Sequence, residues 1–177
     1  MCRETIYKTH TKNYRITAKR SRRMDYQIVR ITKQDLEQMH ALLDCFGQVF
    51  DQQAIYGQQR PSGEYLASLL GSESFIALAA IADGQLLGGL VAYELKKFEQ
   101  QRSEIYIYDL AVYTPYRRAG IASALIDHLR PIAKQLGAWV IFVQADYVDE
   151  PAVKLYEKLG EREEVLHFDI PLVKHSD

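Results

Sequence analysis

Cysteine is almost missing from this chain, with Cys2 and Cys45 the only two among 177 residues. Two thiols build neither a disulfide framework nor a zinc centre. Cys45 also falls on what reads as a helix face, so it is set aside as nucleophile or metal ligand, and no metal site is expected. Long apolar runs are missing too. Nothing approaches the ~18–20 residues that a membrane span needs, and no membrane partner is expected. Internal repeats and low-complexity stretches are absent, which excludes solenoids and fibrous designs. What remains is ordinary, at 47% hydrophobic and 25% charged residues. That is the composition of a globular protein, with length for one domain and too little for two comfortable ones. A reducing, cytoplasmic setting is expected.

The formal net charge of -1 conceals an asymmetry. Residues 1–23 hold eight basic side chains (Arg3, Lys8, Lys12, Arg15, Lys19, Arg20, Arg22 and Arg23) against the single acid Glu4. Removing these from the totals of 22 basic and 23 acidic residues leaves 14 against 22 over 24–177, about -8 net. The extension has no apolar h-region, so it is not read as a secretory signal. It reads as a disordered basic tail ahead of a domain over 24–177. The domain itself is acidic, which argues against nucleic acid as a partner.

From Met24 the pattern becomes regular. Residues 26–31 form a short strand, and Thr32 offers a cap to a helix running to about Phe50, with Leu36, Met39, Leu43 and Phe46 on one stripe. After a polar loop, Pro61 and Ser62 open a second short helix that Gly71 stops. Strands over 75–81 and 86–95 join around Asp83-Gly84, a tight-hairpin signal. A charged link leads to EIYIYDLAV at 104–112, whose β-branched and aromatic residues mark a central strand. A loop over 113–120 precedes a long amphipathic helix through Ile121, Leu125, Leu129, Ile132 and Leu136, in which Pro131 should introduce a kink. A buried strand over 139–145, a helix over 151–159 and a last strand over 165–170 complete the chain. The order is β-α-α-β-β-β-α-β-α-β, an α/β architecture on a mixed sheet, antiparallel first and partly parallel later.

One segment carries chemistry. Arg117-Arg118-Ala119-Gly120-Ile121-Ala122 follows the central strand and opens a helix. Helix N-termini present unpaired N–H groups and the positive end of the dipole, and Gly120 and Ala122 let an anion approach closely. Taken alone, an [Arg/Gln]-x-x-Gly-x-[Gly/Ala] pattern arises at ~0.2 occurrences per chain from ordinary residue frequencies. Its context is what specifies it, because the strand, the following helix and the later Ala152-x-x-x-Tyr156-x-Lys158-x-Gly160 pattern come in order.

The block over 104–160 resembles the core of the GNAT acetyltransferases, in which this loop binds the pyrophosphate of acetyl-CoA. Within that superfamily, FIALAA at 75–80, KFEQ at 97–100, RSEIYIYDLAV at 102–112 and VQADY at 143–147 resemble the type I aminoglycoside 3-N-acetyltransferases. PAVKLYEKLG at 151–160 and HFDI at 167–170 continue the likeness. The resemblance implies the GNAT fold and acetyl-CoA as co-substrate. It also implies backbone amides of Arg118, Ala119, Gly120, Ile121 and Ala122, with Arg117, around the pyrophosphate. Leu110, Ala111 and Val112 would pair like a strand with the pantetheine arm, and the strand would splay from its neighbour at a bulge to admit the thioester. Asp149-Glu150-Pro151 and Glu161 depart from the asparagine and phenylalanine common in the family. A homodimer is implied by the resemblance alone.

Acetyl transfer from a thioester needs a neutral amine, a polarised carbonyl and a proton for the leaving thiolate. Asp109, where the central strand should break, would take the ammonium proton directly or through water. The Leu110 N–H is the natural oxyanion donor, and Tyr156, in the family's tyrosine position, would serve the departing sulfur. Glu104 is a second base candidate and His167 a pH-suited alternative, although His167 reads more simply as a structural residue of the last strand. Tyr106, Tyr108 and Tyr113 read as an aromatic wall, Tyr108 also as an acceptor contact. Asp109 with Asp146, Asp149 and Glu150 would make an acidic mouth for a polycationic aminoglycoside, with Asp149 or Glu150 also suited to cap the helix at Pro151. The expected activity is acetylation of the 3-amino group of an aminoglycoside antibiotic, conferring resistance. A GNAT enzyme for another amine, a polyamine or protein lysine, and a non-catalytic acyl-CoA-binding protein are the alternatives.

Overall fold

Asp83 and Gly84 adopt φ of 49° and 76°. Two successive left-handed residues make the hairpin turn whose twist matches its flanking strands, and it joins β2 (Phe75–Ala82) to β3 (Gln85–Lys96). This computed structural model describes residues 25–172, so the basic extension over 1–23 lies outside the described residues. They fall into two compact units divided between Val143 and Gln144.

The first unit is built on a five-stranded sheet in the order β1-β2-β3-β4-β5, with β1 Gln27–Arg30, β4 Ser103–Val112 and β5 Ala138–Val143. The first four strands pair antiparallel and β4 pairs β5 in parallel, through the crossover helix α3 (Ile121–Gln135). The mixed sheet is therefore as the sequence indicates. Helix α1 (Leu36–Val49) and the shorter α2 (Gly63–Leu70) precede β2. Ser62 caps α2 by accepting the Tyr65 N–H at 3.2 Å, and Gly71 closes it.

Helix α1 packs on one face of the sheet through Met39, Leu42, Cys45 and Phe46, all at most 3% exposed. Leu42 and Cys45, rather than the expected Leu43, hold the centre of that face. The sheet makes room for it at Gly89, where a Cβ would collide with the Leu78 carbonyl oxygen and come within 2.7 Å of Leu42 Cδ1. On α3, Ile121, Leu125, Ile126, Leu129 and Ala133 are buried at the helical spacing of a packed face. Pro131 sits inside α3, which runs on to Gln135.

Three expectations need correction. Thr32 is not the α1 cap: the helix starts after Asp35, whose carboxylate accepts the Thr32 N–H and hydroxyl at 2.9 and 2.6 Å instead. The polar loop after α1 contains a π-helical turn, Ala54–Gln58. In the second unit, α4 (Glu150–Leu159) forms where expected, but residues 161–170 join no sheet. Val165, Leu166, Phe168 and Ile170 are all more than 70% exposed, so the apolar pattern that reads as a last strand has no ladder partner to satisfy its backbone.

Candidate active site

The site grows from the way β4 is bonded. Tyr113 N–H donates to the Leu87 carbonyl at 3.0 Å, which sets the phase of the β3–β4 ladder. In an antiparallel pair the bonded positions alternate, so Ala111 and Asp109 bond toward β3 through their partners Gly89 and Val91. Leu110 and Val112 therefore turn their N–H and C=O groups toward the opposite edge. On that edge the parallel pairing with β5 ends at Ile107↔Val143. Beyond it the polar backbone of Leu110 and Val112 has no strand partner. Arg117 Nε donates to the Val112 carbonyl at 3.2 Å, leaving the Leu110 N–H and C=O and the Val112 N–H for an extended ligand. Of the three residues expected to meet an extended arm, Leu110 and Val112 face the open edge, whereas Ala111 faces β3.

The splay begins at an irregularity. Val91 pairs with Asp109 and Ala92 with Ile107, so Tyr108 is an extra residue in the ladder. A bulge places consecutive side chains on one side of the sheet. Tyr106 and Tyr108 meet with ring centroids 5.8 Å apart, Tyr93 of β3 lies 5.9 Å from Tyr108, and Phe142 of β5 stacks on Tyr106 at 4.9 Å. Tyr108 is 60% exposed at the centre of this group, which fits a ring that receives a ligand better than one that packs. Tyr113 does not belong to the wall; it packs against the α1 cluster.

Asp109 sits beside this group. Its Oδ2 accepts a hydrogen bond from the Tyr56 hydroxyl at 3.0 Å. Burial raises the Asp109 pKa above the usual carboxylate range, and the Tyr56 bond opposes that rise. Tyr56 comes from the π-helical turn, where its ring lies 5.8 Å from Phe46 and 6.0 Å from Phe50. Its own hydroxyl is pushed up by burial and then by the Asp109 charge, so it stays a donor. Sequence reasoning missed Tyr56; the available signal was the Ile55-Tyr56 pair within an otherwise polar loop. Glu104, the other base candidate, is already engaged by Lys97 Nζ at 3.3 Å and Trp139 Nε1 at 3.2 Å. Cys45 is buried and its thiol pushed up to about 12 by that burial, which suits an inert core residue.

The loop after β4 turns through a 3-10 segment, Thr114–Tyr116, to the start of α3. Arg118 and Gly120 adopt φ of 64° and 83°. Gly120 is the N-cap of α3, with no side-chain cap and no acidic residue in the first turn. The first helical acceptor bond is Ala124 N–H to the Gly120 carbonyl at 3.0 Å, which leaves the N–H groups of Ile121, Ala122 and Ser123 without helical acceptors. An anion fits such an end: its amides lack carboxylate competition, and the glycine brings no Cβ into the space, the nearest atom to that position being Tyr26 Oη at 4.0 Å. Ala119 and Arg118 lead into it, and Arg117 is committed to the strand.

In the second unit the remaining candidates lie at the start of α4. Asp149 caps the helix, its Oδ1 accepting the Ala152 N–H at 3.2 Å, and Glu150 pairs with Lys154 at 2.8 Å. The Asp146 carbonyl accepts the Asp149 N–H at 3.0 Å, closing the turn before the helix. Tyr156 lies on α4 with its hydroxyl pKa pushed up to about 12 by burial, then by Asp149. It is protonated at any physiological pH and fit to donate. His167 is exposed, contacting Asp169 at 3.1 Å and Gln144 at 3.3 Å; no strand holds it.

Among the described residues no group of three or more His, Cys, Asp or Glu could hold a metal ion, and no helix is long and apolar enough to cross a membrane. Comparison with known proteins places residues 36–160 within a family model described as acetyltransferase (GNAT) family. An aminoglycoside acetyltransferase from an uncultured soil metagenomic sample superposes with a TM-score of 0.83 at 54% identity, covering 85% of this chain and 100% of that one. A second aminoglycoside acetyltransferase from such a sample, solved in complex with sisomicin, gives 0.78 at 31% identity over 84% and 97%. A probable N-acetyltransferase of Drosophila melanogaster, san, is 32% identical over 73 residues, 41% of this chain and 39% of its own length. This chain thus spans about two fifths of that relative.

Proposed function

The chain belongs to the GNAT acetyltransferase family, and on that premise we propose that it transfers acetyl from acetyl-CoA to the 3-amino group of an aminoglycoside by direct attack of the amine on the thioester. The observation that carries this reading is a partly buried carboxylate, Asp109, held by the Tyr56 hydroxyl and facing no cation, at the bulge where the β4 edge opens. The 54% identity to an aminoglycoside acetyltransferase across that protein's whole length supports the substrate class. The family match crosses the division between the two compact units, which supports reading 24–177 as one acetyltransferase domain. Resistance to such antibiotics, a homodimer and a cytoplasmic location belong to the same reading.

The chemistry divides among the chain's own groups. Amides of 118–122 at the start of α3 hold the pyrophosphate, and the edge groups of Leu110 and Val112 bond the pantetheine arm. The thioester then lies along the β4 edge, where the Leu110 N–H polarises its carbonyl. Asp109, made more basic by burial, takes a proton from the acceptor ammonium and so frees the lone pair that then attacks the thioester. The hydroxyl of Tyr156 supplies a proton to the departing thiolate. The exposed face of Tyr108 offers a polyammonium acceptor a cation–π contact, and Asp146, Asp149 and Glu150 of the second unit add long-range charge attraction for it.

The test is acetylation of gentamicin with acetyl-CoA, followed by release of CoA thiol, with the acetylated nitrogen located by NMR. Acetylation at the 3-amino group is expected. Thiol release with a polyamine or lysine peptide but not gentamicin would move the chain to the other amine class. Cofactor binding with no thiol release for any amine would make it a binding protein.

A further inference from the structure

The mechanism above leaves one partly buried polar contact without a role. Tyr56 is delivered by a π-helical turn, Ala54–Gln58, and its hydroxyl reaches across the molecule to Asp109, fifty-three positions away. Short π-helical turns are costly to form and recur at functional sites. This one has no fully buried residue of its own, and its one aromatic ring, Tyr56, is wedged beside Phe46 and Phe50. The ring contacts would serve packing equally well as phenylalanine, whereas the hydroxyl meets only the carboxylate.

We propose that Tyr56 is a positioning residue for Asp109: its hydroxyl fixes Oδ2 by donation, holds the carboxylate in its ionised form, and leaves Oδ1 to receive the proton of the acceptor amine. The inference rests on the proposed role of Asp109 as the proton acceptor. Two opposing effects act on that carboxylate. Burial favours its neutral form, and a neutral carboxyl cannot accept a proton. The Tyr56 hydrogen bond favours the ionised form. The other titratable groups around it are phenols: Tyr93 from β3, and Tyr106 and Tyr108 from β4, with Tyr93 and Tyr106 raised in part by the Asp109 charge. None of these brings a positive charge, so the stabilising contact with the anion is the one from the π-helical turn. Donation to a single oxygen also breaks the symmetry of the carboxylate and stops its rotation, which orients the free oxygen.

The experiment compares the full chain with Tyr56→Phe, Asp109→Asn and the double variant, using gentamicin and acetyl-CoA. Tyr56→Phe keeps the ring contacts, and unchanged acetyl-CoA affinity by calorimetry checks that the α3 end is intact. The proposal expects kcat/KM at neutral pH to fall about tenfold. The acid limb of the pH profile should move to higher pH, because the carboxylate loses the contact that lowers its pKa. In the double variant, Tyr56→Phe should cost nothing further, since it acts only through Asp109. A carbon-13 titration of the Asp109 carboxyl should rise in Tyr56→Phe independently of turnover. A Tyr56→Phe profile superimposable on wild type, with only the melting temperature lowered, would overturn the positioning role. Wild-type turnover in Asp109→Asn would overturn the proton-acceptor reading and this inference with it; an inactive Asp109→Asn beside an unshifted Tyr56→Phe would overturn this inference alone.

Discussion

A matched pair of glycines separates backbone strain from ligand approach. Gly120 at the start of α3 and Gly137 just beyond its end have φ of 83° and 74°. A Cβ at Gly137 would meet nothing within 4 Å, and one at Gly120 would reach only Tyr26 Oη at 4.0 Å. A Cβ at either position therefore meets no close protein atom, and a substitution differs from glycine chiefly in having to occupy the left-handed region. That costs about 2 kcal/mol for a β-branched residue, or a fall of roughly 4–8 °C in melting temperature for a chain of this size. Gly120→Val and Gly137→Val should thus lose similar stability by calorimetry. Only Gly120→Val places an isopropyl group where the proposed pyrophosphate would approach the amides of Ile121 and Ala122. Its acetyl-CoA dissociation constant by titration calorimetry should rise more than about tenfold, a loss above ~1.4 kcal/mol, while Gly137→Val binds as wild type. Equal affinities in the two destabilised variants would refute the placement of the pyrophosphate at this helix end.

Three further expectations follow from the charges and hydroxyls of the site. Asp109 has a folded-state pKa raised by burial, so its ionised form is disfavoured in the fold, and the stability it contributes is present below its unfolded pKa and declines as pH rises through the raised one. Asp109→Asn should accordingly melt at or above the wild-type temperature at pH 8 while losing about a hundredfold or more in kcat; a marked loss of stability would show that the carboxylate serves the fold. Tyr156→Phe should lower kcat with little change in acetyl-CoA affinity, and no pH limb below ~9 should be assignable to a hydroxyl held near 12; a fall in melting temperature with unchanged turnover would make Tyr156 a packing residue. Acceptor KM should climb several-fold from low to ~0.5 M salt as screening weakens the attraction to acidic side chains, and Asp146→Asn should flatten that slope; an acceptor KM indifferent to both would leave the acidic residues without a part in recognition.

What could be read from the chain was what neighbours in sequence decide. The Asp83-Gly84 hairpin, the Ser62 cap, the Gly71 stop and the amphipathic stripe of α3 are local, and each forms as its residues dictate. The loop that opens α3 was legible for the same reason, since a glycine and an absence of acids at a helix start are visible without coordinates. Tyr56 was not. Its function, as proposed, depends on a bond to a residue on another element and on a π-helical turn, and neither leaves a periodicity. The pattern over 165–170 shows the reverse failure: alternation of apolar residues satisfies the rule for a strand, but a strand exists only when another edge accepts its hydrogen bonds.

The bulge at Tyr108 lies between these cases, and its trace is present in the residues. In EIYIYDLAV the apolar positions Ile105 and Ile107 are two apart, as are Leu110 and Val112, but Ile107 and Leu110 are three apart. A regular strand would keep the even spacing and put Asp109 on the face of Ile105 and Ile107, which are 0% and 2% exposed. A carboxylate there would have no hydroxyl to meet and would cost several kcal/mol to ionise. Inserting Tyr108 as the extra residue slips the phase by one. It returns Leu110 and Val112 to the apolar face and brings Asp109 round to the face of Tyr106, Tyr108 and Ala111, within reach of Tyr56. The same slip coincides with the end of β5 pairing, so the carboxylate is brought to Tyr56 at the point where the β4 edge becomes free, the edge along which the proposed thioester would lie. One inserted residue thus couples the position of the Asp109 carboxylate to the opening of the sheet. The three-residue gap in an otherwise alternating strand is its physical signature.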